Sequence, residues 1–388
     1  MSTAAEPIIL PSASNPEMAV LDTMSDRRTD IESKQSLIAG VLREAKADGL
    51  LILEQENFAW LSSGGAARGV LDGDEQPALF FTAEQRWALS SNCDSQRLFD
   101  EELDGLGFQL KEWPWHWGRE QLLADLCQKR KVVCDRPYRD CQSVADVLRR
   151  RRRTLTRYEQ ACYRALGSVV THAVEATCRG LEPGTIEREI AGQLGHRLLH
   201  RGAYPVLIGV AADRRANPYR QSGFTAAPVK NHCLVWVTAR KYGLCATASR
   251  AVAFGPVDDD LRRQHDAACK VSATYVASTW PDAVPREILN AGRRIYLLTG
   301  YEHEWRLCPQ GGVTGRAPIE QPMTPRTEEL LQKDWAVTWR ASIGSATSCD
   351  TYLISDKGPE FVTAPQLWPQ RKIRFQGVEF VRPFLLER

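Results

Sequence analysis

"WVTARKYGLCATASRAVAFG", Trp236 to Gly255, decides how this chain is read. It reads as a pair of strands, and its twenty residues hold not one Asp or Glu. Side chains two apart share a strand face, so Cys245 and Thr247 point the same way. The question is what such a strand pair holds where a charged pocket would need acids.

Strands dominate from residue 230 onward, interrupted by helical patterns near 258–280 and 285–297. Upstream, "EPGTIEREIAGQLGHRLLHRG" turns at Pro183 and Gly184, and Gly202 ends its helix. Thr185 is the expected cap. His196 and His200 lie four apart on it, but Arg197 stands where an H-E-x-x-H zinc helix needs Glu. They read as surface or packing histidines. Before that, "LRRRRRTLTRYEQ" carries five consecutive arginines, Arg149 to Arg153. A net charge of +2 speaks against a nucleic-acid footprint, so the run reads as a solvated helix end and linker, residues 149–156. Thr156 and Glu159 fit a capping box that opens a helix with Ala161, Leu166, Val169, Val170 and Val174 as its apolar residues.

The first part alternates strands ("LLILEQ", "ALFFTAE", "RWALSSN", "KVVCD") with helices ("DIESKQSLIAGVLREAKADG", "SQRLFDEELDGLG", "REQLLADLCQKR"), the pattern of an α/β domain over residues 31–148. Residues 1–30 read as a disordered leader without the features of a signal peptide. At 388 residues, 43% hydrophobic and 25% charged, the composition is that of a soluble globular protein with room for two domains. No apolar run is long enough to span a membrane. Eleven cysteines, odd in number and with no CxxC, suggest reduced cytosolic thiols.

Four stretches in order, "LEPGTIEREIAGQL", "YGLCATASRAVAFG", "EWRLCPQGGVTGR" and "CDTYLISDKGPE", resemble the pita-bread family of creatinase, prolidase, aminopeptidase P and methionine aminopeptidase. The tail "RPFLLER" resembles that family's end. Gly243, Arg250 and Gly255 match its strand-pair frame. The resemblance implies an α/β (α+β) chain: a creatinase/prolidase-like N-terminal domain, then a pita-bread domain over residues 157–388. It also implies a homodimer, and the reduced thiols place it in the cytoplasm.

In the metal-dependent members, two Asp, one His and two Glu hold two divalent ions that activate water. The resemblance places those ligands at Trp236, Thr247, Pro309, Arg340 and Cys349, none of which matches. Slipping the alignment does not restore them: no acid lies between Ala336 and Ser348, and no His between Leu307 and Arg316. No metal and no cofactor are therefore expected. Arg340 brings a permanent cation instead, able to hold an anion or to pair with an acid such as Asp350. Metal-free creatinase works with a histidine. The matching stretch "NPYRQSGF" offers Tyr219, Arg220 and Gln221, and His232 lies eleven residues on.

Arg250, Tyr219, His232, Gln310, Cys245 and Cys308 join Arg340 as candidate ligand-binding residues. The thiols of Cys245, Cys308 and Cys349 could form a soft-metal site, supply a nucleophile, or simply pack. "EWPWHWG" sets Trp113, Trp115, His116 and Trp117 together as a cleft lining, a partner surface or core. "EHEW", around His303, reads as a loop. Three functions compete. The first is a pseudopeptidase that binds a small molecule, peptide or protein in the retained cleft. The second is a metal-independent creatinase-like hydrolase of a C–N bond. The third is an active X-Pro peptidase. No nucleic-acid or membrane partner is expected.

Overall fold

The computed structural model describes residues 24–67, 76–375 and 377–388. It is a mixed α/β protein of two compact units. One holds the described residues through Cys162 together with Tyr242–Leu244. The other holds Tyr163–Lys241 and Cys245–Arg388. No helix among the described residues is long and apolar enough to cross a membrane.

The first unit is built on a six-stranded mixed sheet. Its strands are β1 Gly49–Ile52, β2 Ala78–Phe81, β3 Arg86–Ser91, β4 Gln109–Trp113, β5 Val132–Cys134 and β6 Gln142–Ser143, in the order β4-β3-β2-β1-β5-β6. The run Leu50–Leu53 shows why β1 is central. Leu50 and Ile52 enter one buried cluster while Leu51 and Leu53 enter another, so the period of two feeds both faces.

Five helices accompany the sheet: α1 Met24–Ala45, α2 Gln55–Leu61, α3 Ser95–Arg97 running into a π turn over Leu98–Leu103, α4 Glu120–Cys127 and α5 Ala145–Arg151. Residues 24–30 of the expected leader are therefore helical. The rest of that leader, residues 1–23, lies outside the described residues.

The arginine run divides. Arg150 and Arg151 are exposed at the end of α5, but Arg152 and Arg153 are buried, and Arg152 Nη1 donates to Asn57 Oδ1 at 2.8 Å. A solvated linker is thus the wrong description of its second half. The capping box forms: Thr156 N donates to Glu159 Oε2 at 2.9 Å, and Glu159 N to Thr156 Oγ1 at 3.2 Å. The helix it opens is α6, Arg157–Arg179.

In the second unit α7 runs from Glu187 to Leu199. Thr185 does not cap it, because its hydroxyl donates to Glu182 O at 2.8 Å inside the preceding turn. Glu187 anchors the helix start instead. Its carboxylate accepts from Ala212 N (2.8 Å), Arg215 Nε (2.6 Å) and Thr225 N (2.7 Å).

Two sheets follow. One has the order β17-β9-β8-β7, from β7 Tyr204–Ala212, β8 His232–Lys241, β9 Leu244–Ala253 and β17 Leu385–Glu387. The other has the order β11-β10-β12-β13-β14, from β10 Gly311–Thr314, β11 Gln321–Pro322, β12 Ala336–Ile343, β13 Ala346–Ser355 and β14 Gly358–Phe361. A hairpin, β15 Gln370–Phe375 and β16 Val378–Pro383, stands apart as a third sheet.

Helices α8 Asp259–Ala277 and α9 Pro285–Leu298 pack on one face of the β12–β13 pair. Val337, Trp339, Ala341, Tyr352 and Ile354 supply that core. The Tyr275 and Trp339 rings stack at 4.9 Å, and Trp339 Nε1 donates to Thr279 Oγ1 at 2.8 Å. Apolar residues at alternate positions of β12 thus bury one face and leave the other to different chemistry.

Candidate functional site

Thr338, Arg340 and Ser342 form the second face of β12. Their partners across the ladder are Thr351, Cys349 and Thr347 of β13. On β8, Trp236 and Thr238 share a face. The Thr238 and Thr247 hydroxyls meet at 2.8 Å.

Hydroxyls then join the two sheets. Thr247 N donates to Thr351 Oγ1 at 2.9 Å, and Thr351 Oγ1 donates back to Thr247 O at 3.0 Å. Cys349 N donates to Ser249 Oγ at 2.9 Å, and Ser249 Oγ to Thr347 O at 3.2 Å. Thr338 and Thr351 hydroxyls lie 3.1 Å apart, Ser342 and Thr347 hydroxyls 3.0 Å. Buried polar groups need such partners, and here short neutral side chains supply them for one another.

Arg340 is the cation on this face. Its guanidinium lies 5.1 Å from the Trp236 ring centroid, in cation–π contact. Nη2 donates to the Arg220 carbonyl, and Nε reaches Ser342 Oγ at 3.4 Å. No carboxylate pairs with it among the described residues; the expected ion pair with Asp350 does not form. Asp350 leaves the opposite face of β13 and is held by Arg250 Nη1 at 3.0 Å and Arg382 Nη2 at 3.5 Å.

Glu304 positions Arg340 indirectly. It grips Arg220 with both carboxylate oxygens, at 2.8 Å from Nη2 and 2.9 Å from Nε, and takes Gly344 N at 3.1 Å. Trp236 owes its place to Gly209, its partner across the β7–β8 ladder. A Cβ at Gly209 would lie 1.8 Å from Trp236 Nε1, so only glycine leaves room for the indole.

Trp236, Thr247, Arg340 and Cys349 are therefore linked on one face. Pro309 is exposed and joins none of these hydrogen bonds. The Cys349 thiol is pushed up to about 12 by burial, with Arg340 opposing, so it stays protonated at neutral pH.

Several other sequence candidates serve the fold. Arg250 donates to Glu175 (3.1 Å), Asp350 (3.0 Å), Ser249 O (2.7 Å) and Thr363 O (3.0 Å), which leaves no nitrogen for a ligand. Burial pulls its pKa down, but Asp350 and Glu175 outweigh that and hold it protonated. Gln310 is also engaged throughout. Its Oε1 accepts from Tyr275 Oη (2.8 Å) and Tyr296 Oη (3.0 Å), and Nε2 donates to Cys308 O at 2.7 Å. It ties β10 to α8 and α9. Gly311 beside it has φ +151°, and a Cβ there would lie 2.3 Å from Thr338 O.

His232 is buried at the start of β8, its ring 6.0 Å from that of His265. Burial lowers its pKa to about 4, so it is a neutral packing group and not a displaced base. Cys245 Sγ donates to Arg316 O at 3.7 Å. Cys308 is buried next to Gln310. Tyr219 is 56% exposed beneath Arg215. His196 and His200 are exposed, with rings stacked at 6.2 Å.

"EHEW" is a 3-10 turn, Glu302–Arg306, not an irregular loop, and only Glu304 of it is buried. In the first unit, core packing describes Trp113 alone; Trp115 and Trp117 are 53% and 72% exposed.

A pair of hard divalent ions does not fit this face. An indole, a threonine already bonded to its neighbour, a guanidinium and a protonated thiol offer no oxygen set for them. Among the described residues no three or more His, Cys, Asp or Glu stand where they could share an ion, and Cys245, Cys308 and Cys349 form no such group.

What sequence reasoning missed is the pairing of Arg220 with Glu304 and the hydroxyls at Thr238, Ser249, Thr338, Ser342, Thr347 and Thr351. The hydroxyls had a signal: in "TASR", "TWRAS" and "TSCDT" Thr247 and Ser249, Thr338 and Ser342, and Thr347 and Thr351 stand an even number of residues apart on buried strands, which puts each pair on one face. The Arg220–Glu304 pair had none, being 84 residues apart.

Residues 161–316 match the model of metallopeptidase family M24. Among solved structures, the prolidase of Pyrococcus horikoshii OT3 superposes with a TM-score of 0.74 at 16% identity, covering 86% of this chain and 99% of that one. The dipeptidase PepE of Mycobacterium ulcerans gives 0.71 at 15%, covering 93% and 99%. The N-terminal domain of FACT complex subunit SPT16 from chickpea, Cicer arietinum, gives 0.64 at 9%, covering 87% and 96%. No curated protein sequence matches the chain.

Proposed function

We propose that this chain, whose residues 161–316 match metallopeptidase family M24 and whose fold is that of the prolidases, is a non-catalytic member of the pita-bread family that binds a carboxylate-bearing small molecule or peptide at Arg340. One observation carries this reading. Where the family resemblance puts metal ligands, the face holds a guanidinium with no acid beside it, stacked on Trp236. A fixed cation supported by an aromatic ring and bordered by hydroxyls suits a carboxylate, which takes two parallel hydrogen bonds from guanidinium.

Water has no activator here, since nothing on the face lowers its pKa. The C–N hydrolase reading lacks a base: Arg250 and Gln310 are occupied, His232 faces His265, and the Cys349 thiol stays protonated.

Three measurements test the proposal. Metal content by mass spectrometry, after incubation with manganese, cobalt and zinc, should stay at background. About two ions per chain, as a two-metal hydrolase holds, would overturn it. Calorimetric titration with dipeptides and with acetate should show binding to the native protein that Arg340→Gln abolishes. Turnover of X-Pro dipeptides would sink the reading outright.

A further inference from the structure

Three cysteines come together in the first unit, at a place the proposed function does not touch. Cys127 closes α4, Cys134 ends β5, and Cys141 stands just before β6. The Cys127 and Cys141 sulfurs lie 3.9 Å apart, and both residues are part-exposed. Cys134 is buried beside them. Its Sγ donates to Arg136 O at 2.8 Å, which turns the thiol away from the pair. The sequence gives no hint of this meeting, since the cysteines are fourteen residues apart with no CxxC spacing.

We infer that Cys127 and Cys141 are a redox-modification site, closing to a reversible disulfide when the protein meets hydrogen peroxide. A disulfide needs its sulfurs at about 2.05 Å, so the two must approach further. The surrounding backbone permits it. Cys127 is the last helical residue, followed by Gln128 in extended conformation and Lys129 at φ +57°. Cys141 follows the left-handed Arg139; its N donates to Tyr138 O at 3.0 Å in a turn, and its carbonyl accepts weakly from Cys134 Sγ at 3.9 Å.

The chemistry balances without a cofactor. One thiolate attacks a peroxide oxygen, giving a sulfenic acid and hydroxide, which takes up the thiol's proton as water. The second sulfur then displaces hydroxide from the sulfenic sulfur. The S–S bond forms, and the second thiol proton leaves with that hydroxide as water. Two thiols and one peroxide become one disulfide and two waters. Burial, with Cys141 alongside, pushes the Cys127 thiol up to about 12, so the reaction is slow at neutral pH and quickens in alkali. The product ties the end of α4 to the segment before β6 across β5. Closing a loop of this size restricts the unfolded chain.

The full-length protein is treated with peroxide, alkylated, and digested with trypsin without reductant. The expected result is a linked pair of peptides carrying Cys127 and Cys141, released by dithiothreitol, with a melting midpoint raised by roughly 5 °C before reduction. Cys127→Ser and Cys141→Ser should each lose both effects, and Cys134→Ser should keep them. Exposed Cys93 reports that the peroxide acted. Cys127 and Cys141 remaining alkylatable while Cys93 is oxidised would overturn the inference, and so would a bond to Cys134 or arrest at sulfinic acid. Should a serine variant fail to fold, differential alkylation of the native chain distinguishes the same outcomes.

Discussion

Cys349 and Asp350 are neighbours on β13, and their side chains leave it in opposite directions. On the Asp350 side acids and guanidinium groups stand together. Arg250 bridges Asp350 and Glu175, and Arg382 adds a second cation while stacking on Phe361 with its guanidinium 4.5 Å from the ring centroid. On the Cys349 side there are a neutral thiol, paired hydroxyls and one guanidinium without an acid. The same two strands therefore carry a structural charge cluster on one face and, on the other, hydroxyls around one arginine, where the proposed ligand would bind. The difference teaches where the fold is held and where it is free to vary. Buried ions must be matched, whereas hydroxyls satisfy one another and tolerate a new occupant.

Four experiments bear on that contrast, ordered by their effect on stability. The largest belongs to the charge cluster. Asp350→Ala leaves Arg250 and Arg382 buried without their common partner, and should cost about 3–5 kcal/mol in denaturant unfolding. A loss below about 1 kcal/mol would mean that the two faces do not differ as described.

Acid comes next. His232 and His265 are lowered to about 4 and about 3 by burial, so the unfolded chain binds more protons than the folded one below its ordinary histidine pKa. Stability is then highest above pH 6.5 and falls as pH drops toward 4, by about 3 kcal/mol for His232 alone. The opposite sign applies to Cys349, whose raised thiol pKa withdraws stability as pH climbs above 9. Cys349→Ala should remove its share of that alkaline slope, the other buried thiols keeping theirs. Thermal unfolding across pH 4–10 reads both limbs, and a flat profile would contradict them.

The hydroxyl side should respond more mildly. Thr351→Val removes the partner of Thr338 and of the Thr247 backbone, an expected loss of about 1–3 kcal/mol in the same unfolding assay. Arg340→Gln should change stability least, by less than about 1 kcal/mol, because no buried acid is left unpaired. Its effect is expected in binding, where carboxylate affinity should fall at least about tenfold, the equivalent of one charge-assisted hydrogen bond. Equal destabilisation by Arg340→Gln and Asp350→Ala would erase the distinction between the faces.

Much of this was legible in the chain. The turn at Pro183–Gly184, the capping box of Thr156 and Glu159, the strands from residue 230 and the fold they build all follow from local pattern and motif order. Local reasoning failed where a side chain's partner lies far away. Thr185 has the right type for a cap but bonds backward to Glu182 O, and Glu187 anchors the helix by reaching residues more than twenty positions ahead. Arg152 sits in a run that looks solvated, yet it is drawn inward by Asn57.

The sequence by itself determined which chemistry is available: no acid from Trp236 to Gly255, an arginine at position 340, and hydroxyls two or four residues apart along buried strands. Periodicity of two makes that last pattern a statement about one face. Only the tertiary structure decided how those groups are used. It gave Asp350 to Arg250 and left Arg340 on Trp236, and it brought Cys127 against Cys141. Charge pairing depends on distance in space, and strand register together with helix packing sets that distance, not spacing along the chain.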